Sequence, residues 1–480
     1  GTNMMATMTK GDWYTATGFV SETMDFIGAG TAFKYNSKPS GSYDKSRLVG
    51  FFANVNYGWD NRYFFDFSYR TDGSSKFGRD SRFAPFWAVG FAWNVHKEHF
   101  VNRNERNLLK VRLSAGSTGS VNFESSQALT TYQYDFDNEY NGYYGVMLKG
   151  YGNPGLKWQN TYSYNAGIDW AFLKGRVQLN VDAYLKITDN LLLPIDIAPS
   201  TGFYSYTENL GKSENRGIEG RLRVGIIENR AKELTWNVTL AGFANRNKIK
   251  KLSNMLEKMN EDANKEAALK GGTVYRQYAE GRSQSALMLV RSAGIDPATG
   301  NEVFIKADGS RTFVYDYRDK VNVGDMLPKM EGNITSNLNW KGFNLYLLFR
   351  YQWGGKTYNS TLADKVENNW QHYERVRNKD KRALYDRWMN PGDEALFRRI
   401  DEKTNAYQTT RLMQKDNLFS LQSVSLSYEL PLKYASCIGA ERIKFLASMT
   451  DVFRISSIEQ ERGTAYPFAR TFSIGLNVAF

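Results

Sequence analysis

The chain has 480 residues, a formal net charge of +12 and 41% hydrophobic residues, and 15% of its residues are aromatic. A mean hydropathy of −0.54, with no run of ~18 apolar residues, excludes a membrane protein built from apolar helices. The aromatic content excludes a disordered chain, and a single cysteine, Cys437, excludes an internal disulfide. Because the basic residues are scattered, they favour a solvated surface over nucleic acid as a partner.

Apolar and polar residues alternate with a period of two from about residue 47 to the C terminus. The alternation is clearest at residues 343–353 and 472–480, where every second side chain is large and apolar. Several of these segments exceed the ~5–6 residues of an ordinary strand. The pattern predicts thirteen strands, with a fourteenth candidate at residues 13–19; the thirteen are 47–58, 62–70, 85–95, 107–116, 160–173, 175–188, 214–227, 232–246, 331–340, 343–353, 417–430, 442–452 and 470–480.

The links between these segments alternate in length. Short links are expected at 60–61, 174, 228–231, 341–342 and 431–440. Long links are expected at 71–84, 117–159, 189–213, 247–330, 354–416 and 453–469. Two long links also show helical spacing, at residues 248–270 and 364–388. Short turns at one end and long loops at the other are typical of an outer-membrane barrel, whereas a soluble β-sandwich gives no reason for such sorting.

The two faces of the predicted strands also differ in chemistry. The polar face carries charges well inside strands, as a wet lumen permits, at Asp66, Arg112, Asp169, Asp182, Arg221 and Arg350. The apolar face carries Tyr and Trp near strand ends, as membrane interfaces require, at Tyr57, Tyr69, Trp93, Tyr162, Trp170, Trp236, Trp340 and Tyr428. We therefore predict an all-β fold, a transmembrane antiparallel up-and-down β-barrel with long extracellular loops and short periplasmic turns.

The long link at 117–159 holds the best candidates for ligand binding. Tyrosine rings next to acidic residues suit stacking on sugars or gripping peptides, although they would equally pack the loop against itself. The candidates are Tyr132, Tyr134, Tyr140, Tyr143 and Tyr144.

The sequence contains few residues or motifs that suit catalysis or metal binding. The only histidines are His96, His99 and His372; the first two are a weak metal pair or a solvated turn. Asp296 and Asp308 are in turn sequences and would suit Ca²⁺, but the EF-hand spacing is missing. No phosphate-binding glycine motif is present. We predict no catalysis, no metal site and no cofactor.

Several short motifs occur in the order found in one family, and the chain resembles the C-terminal part of SusC/RagA-type TonB-dependent outer-membrane transporters. The motifs are 70–78 (Arg-Thr-Asp-Gly-Ser-Ser-Lys-Phe-Gly), 153–158 (Asn-Pro-Gly-Leu-Lys-Trp), 186–192 (Lys-Ile-Thr-Asp-Asn-Leu-Leu), 215–220 (Asn-Arg-Gly-Ile-Glu-Gly), 294–300 (Gly-Ile-Asp-Pro-Ala-Thr-Gly) and 328–329 (Pro-Lys). In this family an aromatic last residue, here Phe480, is a barrel-assembly signal.

The resemblance implies a domain organisation. Residues 47–480 would be the C-terminal part of the barrel, and residues 1–46 a loop and first-strand region. A complete family barrel has roughly 22 strands, so thirteen or fourteen do not close it. The plug domain and early strands are therefore expected from a partner chain or a lost N-terminal fragment.

The resemblance also implies a function in the outer membrane of a Gram-negative cell, in contact with lipid and lipopolysaccharide. The expected activity is import of oligosaccharides or peptides, driven by the TonB complex and capped by a SusD-like surface lipoprotein. The alternative is a barrel that no longer transports and acts as a scaffold in a larger assembly. An outer-membrane protease or lipase is a third alternative, which the scarcity of histidine disfavours.

Overall fold

The structure is a computed structural model in which most of the chain is described. The described residues are 1–13, 16–19, 30–33, 40–78, 81–101, 107–120, 128–141, 143–150, 152–196, 205–209, 211–251, 279–368, 380–402, 404–458 and 470–480.

Strands dominate the described ranges. In chain order they are β1 (Thr2–Trp13), β2 (Ala16–Phe19), β3 (Gly30–Phe33), β4 (Ser40–Trp59), β5 (Tyr63–Ser74), β6 (Phe83–Asn94), β7 (Leu108–Ser120), β8 (Thr131–Tyr140), β9 (Tyr143–Gly150), β10 (Gln159–Phe172), β11 (Val177–Asp189), β12 (Leu192–Asp196), β13 (Ser205–Asn209), β14 (Lys212–Asn229), β15 (Leu234–Lys251), β16 (Ala286–Ile295), β17 (Glu302–Ile305), β18 (Arg311–Thr312), β19 (Lys320–Asp325), β20 (Met330–Trp340), β21 (Phe343–Tyr358), β22 (Met413–Glu429), β23 (Arg442–Ser456) and β24 (Thr471–Ala479).

Fourteen of these strands form one antiparallel sheet, in the order β1-β4-β5-β6-β7-β10-β11-β14-β15-β20-β21-β22-β23-β24. Each strand pairs with the next one along the chain, apart from short strands inserted in the long connections. This confirms the predicted up-and-down arrangement, and of the described strands β1 and β24 lie at the two edges of the unclosed sheet.

The connections are sorted by length between the two ends of this sheet. At one end, called the turn end, β4–β5, β10–β11, β14–β15 and β20–β21 are joined by tight turns. At the other end, called the loop end, the links between β7 and β10, β15 and β20, and β21 and β22 carry strands or helical turns of their own. In a meander, successive links alternate between the two ends of the sheet. Since short and long links also alternate along the chain, the short links gather at the turn end and the long links at the loop end.

Helical segments are short. They are Ser360–Leu362, Arg382–Tyr385 and Leu432–Ala435, a π-helical turn at Ala363–Glu367, and 3₁₀ turns at Val95–Lys97, Arg230–Lys232, Tyr317–Asp319, Thr410–Leu412 and Ser436–Ile438. Within the described ranges, none of the helices is long and apolar enough to cross a membrane.

All thirteen predicted strands coincide with strands of the sheet, but the fourteenth was placed wrongly. The first strand of the sheet is β1, which pairs with β4 from Thr2↔Phe51 to Trp13↔Ser40. Residues 16–19 instead pair with β3 in a separate hairpin. The alternation in β1 is weak because Met4 and Met5 are adjacent, so the pairing with β4 decides its structure rather than the local pattern.

The two helical predictions in the long links are only partly met. Residues 248–251 are not helical, because β15 continues through them and pairs with β14 as far as Lys212↔Lys251. Residues 252–278 lie outside the described residues. In the second link, helical turns occur at Ala363–Glu367 and Arg382–Tyr385, while residues 369–379 lie outside the described residues.

The pairing register places apolar residues on one continuous face. Across four neighbouring strands, Leu179 is opposite Leu222, Leu222 is opposite Leu240, and Leu240 is opposite Ile334. One residue along, the other face brings together Asn180, Arg221 and Ala241. Because side chains alternate across a strand, each row repeats its chemistry along the sheet. We call these the outer apolar face and the inner polar face.

Because the sequence predicts that the outer apolar face lies in the hydrocarbon of a membrane, we expect Leu222→Arg on that face to cost about 2–4 kcal/mol of stability. Leu222 lies in mid-strand between Leu179 and Leu240. The matched control is Thr335→Arg, which adds the same charge to the inner polar face opposite Thr239. Equilibrium unfolding from lipid vesicles measures both variants. Equal losses would contradict the assignment of the faces.

Candidate functional site

The inner polar face is organised around an arginine that bridges three strands. Arg112 on β7 donates to Asp169 on β10 from Nε (2.8 Å) and Nη2 (3.0 Å), and to Asp182 on β11 from Nη2 (3.0 Å). Asn180 donates to the same Asp169 carboxylate at 2.8 Å. Gly167 leaves the necessary space, since a Cβ there would stand 2.2 Å from Oδ1 of Asp182. The result is a polar surface tied together by charged hydrogen bonds rather than an apolar core.

A second polar group lies on the same face at the turn end. Asn344 donates from Nδ2 to Oδ1 of Asn337 (2.7 Å) and Oδ1 of Asn339 (2.6 Å). Asn339 in turn donates to Oγ1 of Thr235 at 3.2 Å. Amide side chains both donate and accept hydrogen bonds, so they make the inner polar face hydrophilic without adding net charge.

At the loop end, two of the sequence motifs pack against each other. The ring of Phe77 stacks on Trp158 with centroids 4.7 Å apart, and Phe86 meets Trp158 edge-on at 5.5 Å. Leu156 is fully buried beside them. Position 78 requires glycine because the backbone of Pro154 lies so close that a Cβ on Gly78 would be 2.3 Å from its carbonyl oxygen. The motifs at 70–78 and 153–158 therefore build a small apolar core under the loops.

The motif at 294–300 forms a turn that docks onto a neighbouring long loop. Asp296 accepts from the backbone N–H and hydroxyl of Thr299, at 3.1 and 2.7 Å. The carbonyl of Pro297 accepts from the indole N–H of Trp388 at 2.8 Å. Asp308 also closes a turn, by accepting from Ser310. Among the described residues, no group of three or more His, Cys, Asp or Glu is placed to hold a metal ion.

A buried ionic cluster joins the same two loops. Arg411 donates from Nη2 to Glu302 at 3.1 Å and to both oxygens of Glu367 at 2.8 Å. The side chains of these three residues are only 3%, 2% and 1% exposed. Arg398 donates to Glu367 at 3.0 Å. Burial lowers the pKa of the Arg411 guanidinium, but the adjacent carboxylates of Glu302 and Glu367 have the larger effect and hold that pKa above its ordinary value.

Arg387 binds backbone carbonyls beneath this cluster. Its guanidinium donates to the carbonyls of Ala383 (2.7 Å), Val366 (3.0 Å), Glu367 (2.8 Å) and Arg398 (3.0 Å). Burial lowers the pKa of Arg387, and the four carbonyl contacts satisfy its donors. The arginine therefore ties the π-helical turn to the segment that follows residue 380.

An aromatic group completes the interface between the two loops. Tyr315 stacks on Tyr407 with centroids 4.2 Å apart and planes 7° from parallel, and Phe304 meets both rings edge-on. Burial raises the pKa of Tyr315 to about 12. Sequence reasoning missed the ionic cluster and this aromatic group. Their members are far apart in the chain, and the length of the two links was the only signal.

The predicted ligand-binding tyrosines lie on one hairpin at the loop end, β8–β9. Tyr140 is opposite Tyr143 in the register, Tyr132 is opposite Leu148, and Tyr134 is opposite Val146. The side chains of Tyr132 and Tyr143 are exposed, at 66% and 76%. Those of Tyr134, Tyr140 and Tyr144 lie outside the described residues.

The remaining predicted positions are on the periphery. Phe480 directly follows β24 and is 80% exposed. Nδ1 of His96 lies 3.1 Å from the carbonyl oxygen of Leu109, at the turn end, and His372 lies outside the described residues. Cys437 is exposed.

Comparison with known proteins agrees with this architecture. Residues 2–370 match the family described as TonB dependent receptor-like, beta-barrel. TonB-dependent receptor P3 of Formosa agariphila is 25% identical over 92% of this chain and 46% of its own length. TonB-dependent receptor SusC of Bacteroides thetaiotaomicron is 35% identical over 44% of this chain and 21% of its own length.

Among solved structures, the RagAB peptide transporter matches over 100% of this chain and 53% of its own, with a TM-score of 0.82 and 22% identity. At that identity the likeness shows the fold. The chain spans about half the length of the curated relatives it matches over most of its own length. Both of these curated relatives are named as TonB-dependent receptors. Since the matched region covers most of the chain, the protein belongs to the TonB-dependent receptor-like β-barrel family.

Proposed function

We propose that this chain forms the C-terminal wall and the extracellular loops of a TonB-dependent transporter in the outer membrane of a Gram-negative cell. The transporter imports oligosaccharides or peptides. In this proposal the loop end faces outward, because outer-membrane barrels carry long loops outside and short turns in the periplasm.

The observation that carries the proposal is a sheet with an outer apolar face and an inner polar face. At the loop end of this sheet, the long connections pack into a defined structure. The bridge from Arg112 to Asp169 and Asp182 keeps the inner wall polar. The Glu302–Arg411–Glu367 cluster keeps two long loops together. A polar passage with a shaped outer opening suits hydrophilic cargo, since it offers hydrogen-bond partners instead of a hydrophobic barrier.

The proposal assigns residues 47–480 to the barrel, residues 1–46 to a loop and first-strand region, and the plug and remaining strands to a part outside this sequence. That part would contact the TonB complex and move when transport is energised. A SusD-like lipoprotein would cover the loop end. One similar solved structure, the RagAB peptide transporter, supports a peptide as cargo. The oligosaccharide alternative comes from the resemblance to SusC-type transporters.

Within this proposal, the exposed rings of Tyr132 and Tyr143 contact cargo or lid. Their hairpin lies at the loop end, and an exposed tyrosine offers both a flat apolar surface and a hydroxyl. Tyr134, Tyr140 and Tyr144 are proposed for the same role from their position on the hairpin. Phe480 is proposed as the signal for barrel assembly.

The proposal predicts that a strain lacking this protein loses uptake of one cargo class. Growth and uptake are compared on defined oligosaccharides and on defined peptides as sole nutrients, with a TonB-deficient strain as the positive control for loss. We expect both strains to fail on the same class. If the deletion strain grows normally on every substrate of the TonB-deficient set but loses a surface complex, the scaffold alternative replaces transport.

A further inference from the structure

Two neighbouring arginines project from β14 on the inner polar face. Arg221 and Arg223 lie on either side of Leu222, whose side chain points the other way, and both arginines are exposed. None of the residues directly opposite them on the adjacent strands is acidic; these residues are Asn180 and Gln178 on β11, and Ala241 and Thr239 on β15. Within the described ranges, neither arginine takes part in an ion pair.

Arginines at three other positions of the inner polar face have carboxylate partners from the wall itself. These pairs are Arg70 with Asp72, Arg112 with Asp169 and Asp182, and Arg350 with Glu331. On the same face of β14, Glu219 precedes Arg221 by one inward position, and it is opposite Asp182 on β11. Asp182 is already bound by Arg112 at 2.9 Å. Glu219 therefore offsets at most one of the two charges on β14, and the register brings no acidic residue opposite Arg223.

The repulsion between the two arginines favours an anion that is always present. Alternate residues of a strand are about 6–7 Å apart, so two guanidinium groups on one face repel each other. This repulsion grows in a narrow lumen enclosed by protein, where the effective dielectric constant is lower than in water. A resident carboxylate removes the repulsion at all times, whereas a passing cargo would remove it only during transport.

The position of the arginines and the extent of the chain indicate where such a carboxylate comes from. Arg223 lies nearer to Asn229, at the turn end of β14, than to Lys212 at the loop end. It is therefore in the half of the lumen that is away from the long loops. Since the chain spans about half the length of its curated relatives, the other half of such a protein is available to face this part of the wall.

We propose that Arg221 and Arg223 bind acidic side chains of the plug and hold the plug against β14. This inference rests on the proposed function, which supplies the plug. A guanidinium matches a carboxylate with two parallel hydrogen bonds, and such charge-assisted bonds are among the stronger ones in proteins. The wall contributes the cations to this contact and the plug contributes the anions. The bridge from Arg112 to Asp169 and Asp182 is complete within the wall, so it stays in place when the plug moves.

Zero-length crosslinking of the purified full-length transporter tests the proposal, in the absence of cargo and of the TonB complex. The variants are Arg221→Lys and Arg223→Lys, which keep the positive charge and introduce a primary amine. A water-soluble carbodiimide joins such an amine to a contacting carboxylate as an amide, and the carbodiimide takes up the elements of water as a urea. Mass spectrometry of the digested protein identifies the acid. We expect both positions to be joined to Asp or Glu residues of the plug.

The matched control is Thr335→Lys on the same face of the sheet. Thr335 is in the same row as Arg223, because Arg223 is opposite Thr239 and Thr239 is opposite Thr335. The control introduces the same amine away from the arginine pair, and we expect no crosslink from it to the plug. Lys212 and Asp189, whose charged atoms are 3.1 Å apart, should be joined in every variant and show that the reaction has worked.

Charge reversal gives a second measurement. Arg221→Glu with Arg223→Glu should increase hydrogen exchange in the plug segment that the crosslinks identify, because like charges would then face each other. Arg221→Lys with Arg223→Lys should leave that exchange unchanged. If the charge-reversed protein does not assemble, Arg223→Gln alone should increase the exchange by a smaller amount.

Crosslinks from positions 221 and 223 only to Glu219 or Asp182 of the wall would overturn the proposal, as would equal crosslinking of the plug from position 335. A parallel reaction contains hexaglutamate as a soluble acidic probe. If hexaglutamate replaces the plug in the crosslinks, the arginines bind acidic cargo and the plug is not their partner. A transporter that shows the plug crosslinks but does not import fails the proposed function alone. One that imports without these crosslinks fails this proposal alone.

Discussion

Glu367→Ala is expected to destabilise the two long loops by about 3–5 kcal/mol, because it leaves the buried guanidinium of Arg411 with one carboxylate instead of two. Both oxygens of Glu367 accept from Arg411, and one also accepts from Arg398. Neither partner can turn to solvent, since their side chains are 3% and 9% exposed. Hydrogen exchange of residues 286–325 and 380–412 in the full-length protein measures the loss.

The matched control is Asp380→Ala in the same loop. Asp380 pairs with Arg382 at 2.7 Å, but this pair is partly exposed, at 36% and 23%, and such pairs contribute ~0–1 kcal/mol. The double variant Glu367→Ala with Arg411→Ala should lose less than the sum of the two single losses, because no unpaired charge then remains. Additive losses, or a control as damaging as Glu367→Ala, would contradict a coupled buried cluster.

The ionic cluster has a mechanical consequence for the loop end. Glu302 belongs to the link between β15 and β20, whereas Glu367 and Arg411 belong to the link between β21 and β22. A second contact joins the same two links, since the indole N–H of Trp388 donates to the backbone carbonyl of Pro297. The two links therefore form one packed body, and a ligand or lid that moves one of them has to move both.

Much of the sheet was predictable because its signal is local. A strand with one face in lipid and one in water repeats its chemistry every two residues, so β21 and β24 can be recognised without knowledge of their neighbours. The sorting of links by length then gives the order of the strands. The prediction failed at β1, where pairing with β4 rather than the local pattern determines the strand. It also failed at residues 248–251, where β15 continues in place of the predicted helix.

The loop end was not predictable, for a physical reason. Arg411 and Glu302 are 109 residues apart, and Trp158 donates to the carbonyl of Arg82 across 76 residues. No local period links such residues, since each pair is brought together by the sheet that carries both loops. The two motifs at 70–78 and 153–158 could be recognised in the sequence, but nothing in the sequence showed that they are in contact with each other.

The contact between these two motifs leads to the second large expected effect. Trp158→Ala should cost about 3–5 kcal/mol, because it removes a buried aromatic side chain and leaves a cavity. Trp158 is 5% exposed, stacks on Phe77 and closes over Gly119, where a Cβ would lie 2.9 Å from the indole ring. Its neighbours come from three different connections and strands, so they cannot all collapse into the space.

Equilibrium unfolding, together with protease sensitivity of residues 70–78, measures the loss in the full-length protein. Tyr385→Ala is the control, because this aromatic side chain on the same end of the sheet is 76% exposed and its removal should change stability by ~0.5 kcal/mol or less. Trp158→Phe should retain most of the stability, as the stacking on Phe77 survives the smaller ring. If Trp158→Ala behaves like the exposed control, the two motifs do not form a core, and their order in the chain has another cause.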